Sequence, residues 1–118
     1  EKPRVLIIPL ASVAVDRENI KNLLNDFIQK IQEYNSSKIG ISLFEIVDER
    51  NISDMLIKRI DNELINHHGL LLLHLTGGTS KISVEILTNI SNVKPFALLA
   101  HKYFNSLNLS LYTSDAAD

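Results

Sequence analysis

Between Leu70 and Leu75 every residue is leucine except His74. A run this short and this apolar has no solvent face, so it reads as a strand covered on both sides. Such strands lie in the middle of parallel sheets, with helices packed above and below. The rest of the chain must then supply neighbouring strands and covering helices, and it does so in alternation. Val5-Leu6-Ile7-Ile8 is a second continuous apolar run, ended by Pro9, whose missing N–H is tolerable at a strand end. Asp16 is placed to cap a helix whose stripe is Ile20, Leu23, Leu24, Phe27, Ile28 and Ile31. After the break at Asn35-Ser36-Ser37-Lys38, the stretch from Ile39 to Val47 reads as another strand. Its Ser42 and Glu45 make it half polar, which suits a sheet edge.

Asp48-Glu49-Arg50 reads as a solvated polar turn. Asn51 or Ser53 then caps a helix lined by Ile52, Met55, Leu56, Ile60 and Leu64. His67-His68-Gly69 closes that helix. Gly69 is expected in the left-handed conformation, and the two imidazoles as favourable charges at the negative helix end. Ile82, Ile86, Leu87 and Ile90 give a third helical stripe, and Pro95 to Ala100 a fourth strand. From Asn105 onward the pattern is open. Leu107, Leu109 and Leu111 alternate as in a strand, while Leu107 and Leu111 also share a helix face.

The order β-α-β-α-β-α-β predicts one α/β domain over residues 1–118. It is expected to be a three-layer, doubly wound parallel sheet of Rossmann or flavodoxin type, with strand order 2-1-3-4 and right-handed crossovers. Ligands of such sheets sit beyond the carboxyl ends of the strands, where the winding reverses. Here that is the crevice between the first and third strands, with Ala11-Ser12 on one side and Thr76-Gly77-Gly78-Thr79-Ser80 on the other.

Composition narrows the chemistry. The chain has no Cys, so disulfides, thiol nucleophiles and Cys-based zinc sites are excluded. A net charge of −2 with 6% aromatic residues argues against a nucleic-acid duplex as partner. No apolar stretch approaches the roughly 18 residues of a membrane span. Glu1-Lys2-Pro3-Arg4 leads directly into a strand without a secretory pattern, so a cytoplasmic protein is expected.

The glycine turn is the strongest ligand candidate. Its two glycines allow close backbone approach, the following helix start favours a polar or anionic group, and Thr76, Thr79, Ser80 and Lys81 add polar side chains. It lacks the spacing of a P-loop or of a dinucleotide fingerprint. His101, just past the fourth strand, is placed to face the same edge for ligand-binding or acid–base work. His74 reads as a hydrogen-bonded core residue. The sequence shows no HExxH, EF-hand, paired-Glu pattern or nucleophile elbow, so no catalytic constellation and no metal site are expected.

Three stretches taken together resemble a known family. They are Ile8-Pro9-Leu10-Ala11-Ser12 with Asp16-Arg17-Glu18, Leu75-Thr76-Gly77-Gly78-Thr79, and Lys94 to His101 followed by Asn105-Ser106-Leu107. The set is similar to the N-terminal domain of L-fucose and L-arabinose isomerase-like proteins in their uncharacterised archaeal and bacterial branches. The resemblance runs from about Val5 to Leu111. It implies an aldose–ketose isomerase of several domains, a homo-oligomer with a site shared between subunits, and a divalent metal such as manganese held by later domains. This domain would contact sugar through Ser12, Thr76, Gly77, Gly78, Thr79, Ser80, His101, Asn105 and Ser106, with no cofactor and no catalysis of its own. The resemblance departs at Asn108-Leu109-Ser110-Leu111-Tyr112, where the family tends to show small residues and a Glu. A rival resemblance is carried by Leu73-His74-Leu75-Thr76-Gly77-Gly78-Thr79-Ser80-Lys81. It looks like CRISPR-associated Rossmann-type sensor domains, which dimerise and bind cyclic oligoadenylate. A dimerising scaffold without a ligand is the third alternative.

Overall fold

The computed structural model describes residues 2–35, 38–92, 94–100 and 112–113. Its elements are β1 (Arg4–Leu10), α1 (Arg17–Asn35), β2 (Gly40–Leu43), α2 (Asp54–Leu64), β3 (Gly69–His74), α3 (Ser80–Asn89), β4 (Phe96–Ala100) and β5 (Tyr112–Thr113). The strands lie in the order β2-β1-β3-β4-β5. The first four are parallel, as expected for a doubly wound Rossmann or flavodoxin-like layout. β5 runs antiparallel along β4, pairing Leu98 with Tyr112 and Ala97 with Thr113.

Side-chain alternation along the strands sorts the core into two layers. Leu6, Ile8 and Leu10 of β1 and Leu70 and Leu72 of β3 pack with Leu56, Ile60 and Leu64 of α2 and with Ile82 and Ile86 of α3. Ile7 of β1 and Leu73 of β3 point the other way, against Ile20 and Leu24 of α1. One helix on one face and two on the other follow from handedness. The chain crosses from β1 to β2 in one direction and from β2 to β3 and β4 in the other, and right-handed crossovers then require opposite faces. Ile8, Leu10, Ile60, Leu64, Leu72, Leu73 and Ile86 are all fully buried, each contributing about 1.5–3 kcal/mol by removal from water.

Four local expectations are corrected. Pro9 lies inside β1, paired with Leu73, and does not end the strand. Its carbonyl accepts from Val47 N–H, so its N–H-less side faces β2. β2 has already left the ladder there, after Leu43 pairs with Ile7, so no hydrogen bond is lost. β2 itself is short, because the chain leaves the sheet at Phe44 and returns only as an isolated bridge between Val47 and Leu10. Gly69 is not a left-handed helix end. α2 stops at Leu64, and Gly69 is the first residue of β3, opposite Val5; a Cβ there would approach Pro95 O at 3.5 Å. His68 is bonded to β1 and not to the helix end: its Nδ1 accepts the Arg4 N–H at 2.9 Å. His67 does reach that end, with Nδ1 2.6 Å from Glu63 O. Of the two candidate caps, Ser53 is the one used, accepting from Leu56 N–H at 3.1 Å.

Candidate functional site

The reversal of winding falls between β1 and β3, and the chain segments leaving these strands meet there. Leu75 N–H donates to Leu10 O at 2.9 Å, extending the pairing one residue past β3. Thr76, 6% exposed, then closes the gap. Its hydroxyl accepts from Ser12 N–H at 2.8 Å and donates to Gly77 O at 2.9 Å. Thr79, 2% exposed, holds the N-cap position of α3 without capping it through its side chain. Its hydroxyl donates instead to Thr76 O at 3.2 Å and lies 2.6 Å from His74 Nδ1. Both threonine hydroxyls are thus engaged inside the turn, and their work is to hold its shape.

The exposed surface of the turn is backbone. Gly77 and Gly78 are both exposed. Gly78 has φ of 75°, which side chains rarely adopt, so glycine is required there on conformational grounds. Gly77 has no such requirement, and a Cβ at either glycine would meet nothing within 4 Å. Ser80 and Lys81 open α3 beside them and are exposed. Among the sugar-contact candidates, Ser12 and Thr76 to Ser80 are brought together. His101, Asn105 and Ser106 lie outside the described residues.

A second turn joins the same edge. Val47 is bonded to the end of β1 on both sides, through Val47 N–H to Pro9 O and Ala11 N–H to Val47 O. This puts Glu49 against the loop after β1. Its carboxylate accepts from Val13 N–H at 2.9 Å and faces Ser12 Oγ at 3.4 Å. Hydrogen bonds from its own and the Val13 backbone N–H lower its pKa below the usual 4.5. Asp48 is not the solvated turn residue expected, for it is 2% exposed. It is ringed by donors: the Arg17 and Arg50 guanidiniums, both at 3.0 Å, and the backbone N–H of Arg50 and Asn51. Burial alone would raise its pKa, but Arg50 and the backbone donors outweigh it and the net shift is downward. Asn51, a cap candidate in the sequence, instead braces this turn through Asp48 N–H and Ile46 O. The Asp48-x-x-Asn51 spacing was the local signal available; the approach of Arg17 had none.

His74 closes β3 at this edge, between Leu10 and Ala100 in the ladder. It is partly buried, and that burial lowers its pKa from the ordinary 6.5, which keeps the ring neutral at neutral pH. Comparison with family models, curated proteins and solved structures returns no match to this chain. Among the described residues no three His, Asp or Glu side chains gather to hold a metal ion. No described helix is long and apolar enough to cross a membrane. What the edge offers chemically is mostly neutral hydrogen-bonding groups, with the exposed Lys81 beside the turn. The Gly77 and Gly78 backbone and the Ser12 and Ser80 hydroxyls lie around one turn, with the Glu49 carboxylate on the far side of Ser12.

Proposed function

We propose that this chain is the N-terminal, ligand-holding domain of a sugar isomerase-like protein. It binds a neutral polyhydroxylated ligand at the β1–β3 edge and leaves the chemistry to other parts of that protein. The observation that carries this reading is Gly77. Neither its backbone nor its neighbours need a glycine, yet it sits exposed at the switch point with open space where a side chain would go. Glu49 favours a polyol over the cyclic oligoadenylate of the rival reading, because its carboxylate stands across Ser12 from the turn and would repel phosphates. By the sequence resemblance the domain is also an oligomer, with a sedimenting mass above 13.3 kDa; a strict monomer at high concentration counts against that part.

Thermal unfolding with added xylitol or cyclic oligoadenylate separates the readings. Xylitol is expected to raise Tm in the unmodified chain. Gly77→Val is expected to abolish that rise while changing intrinsic stability by less than about 0.5 kcal/mol, as for a surface change that meets no neighbour. A rise with oligoadenylate alone replaces the sugar reading with the sensor reading. No rise with either supports the scaffold.

A further inference from the structure

The His74–Thr79 contact carries a consequence for what the edge recognises. Thr79 has one hydroxyl hydrogen and two polar neighbours, Thr76 O at 3.2 Å and His74 Nδ1 at 2.6 Å. A carbonyl oxygen can only accept, whereas a ring nitrogen takes either role. Both contacts are satisfied in one arrangement: Nδ1–H donates to Thr79 Oγ1, and Thr79 O–H donates to Thr76 O. That arrangement leaves His74 Nε2 as a bare lone pair. Nε2 has no partner among the described residues, and His74 is only partly buried. His74 also ends the strand from which the glycine turn departs.

We propose that His74 is a binding residue of this edge, accepting a hydrogen bond from a ligand hydroxyl through Nε2, with Thr79 as the positioning residue that fixes its tautomer. The proposal rests on the reading of the edge as a polyol site and deepens it. A lone-pair acceptor selects ligands that bring a hydrogen, such as hydroxyls, and turns away fully ionised oxygens, which bring none. It also gives Thr79, which makes no side-chain cap bond, a second role beside holding the turn: the hydroxyl orients a ring.

The test is long-range proton–nitrogen NMR on the full chain at neutral pH. His74 is expected as the Nδ1–H tautomer in the free protein, and Nε2–H as the dominant form overturns the proposal. Thr79→Val is expected to shift the ring toward Nε2–H, and Thr79→Ser to restore Nδ1–H, which a purely structural threonine would not do. Xylitol is then titrated, with inorganic sulfate, which is fully ionised at neutral pH, as the contrast. Movement of the Nε2 resonance with xylitol and not with sulfate supports the assignment. If xylitol moves the Gly77 and Gly78 amides and leaves Nε2 in place, the site stands and the His74 inference falls. If xylitol moves neither, both fall. His74→Phe keeps a ring of similar bulk and is expected to weaken xylitol binding about fivefold, the loss of one neutral hydrogen bond; unchanged affinity overturns the role.

Discussion

Two turns meet at the carboxyl edge of the sheet, and they are built on opposite plans. The turn after β2 is organised around one buried carboxylate, Asp48, which receives two guanidiniums and two backbone N–H groups. The turn after β3 is organised around two threonine hydroxyls, each accepting on one side and donating on the other. The first turn holds a charge that is already neutralised by its own neighbours. The second uses neutral groups to fix its interior and leaves the glycine backbone outside. Position at the switch point is therefore insufficient to make a site. A saturated ionic cluster is a brace, and the turn whose polar interior is complete while its outer face stays open is the one proposed to receive a ligand.

The comparison breaks most readily at Asp48. Asp48→Ala removes the common acceptor and strands both backbone donors, and it should cost about 3 kcal/mol in denaturant unfolding. The lower end of the range for a broken buried pair applies because Arg17 and Arg50 still reach water, at 41% and 66% exposure. A loss below about 1 kcal/mol would mean that the turn is a surface feature after all. Thr76→Val should cost less, about 1.5 kcal/mol, through the Ser12 N–H left without its acceptor. It should also loosen the Ser12 loop, read as faster amide hydrogen exchange at Ser12 than at Val47. Equal exchange at the two would show that the hydroxyl bridge does not hold the walls together.

The smallest effect is in pH. Both His74 and Asp48 have lowered folded pKa values, so the unfolded chain binds protons first and acid destabilises the fold. The His74 contribution is complete above its ordinary value of 6.5 and is lost as pH falls from there through the lower folded value. The Asp48 contribution is complete above 3.8 and is lost below it. Tm should therefore decline in two steps on acidification, and His74→Phe should remove the upper one. An unchanged upper step in that variant assigns it to another group and removes burial of His74 as its cause.

Much of this architecture was legible in the chain because it rests on local and periodic signals. The leucine run of β3 demanded cover on both faces, and the stripes of α1, α2 and α3 supplied it. The right-handed crossover then left little freedom in strand order, and the observed β2-β1-β3-β4 follows. The gathering of Ser12 with the Thr76–Ser80 turn came from the same rule. Errors fell where a local preference competed with a partner distant in sequence. Gly69 looked like a helix end because it follows two polar histidines, but pairing with Val5 made it a strand start. Pro9 looked like a strand end because proline lacks a donor, but β2 had already left that side of β1.

The sequence by itself determined the layers, the strand order and the edge at which the winding reverses, since hydrophobic periodicity and chain handedness are carried by every residue in turn. Only the tertiary structure decided what that edge is made of. It buried Asp48 by bringing Arg17 from 31 residues away, turned the Thr76 and Thr79 hydroxyls inward, and set His74 against Thr79. Hydrogen-bond partnership depends on a few tenths of an ångström between groups whose separation along the chain says nothing of their distance in space. The pattern of apolar residues tolerates such shifts, and the pairing of polar ones does not.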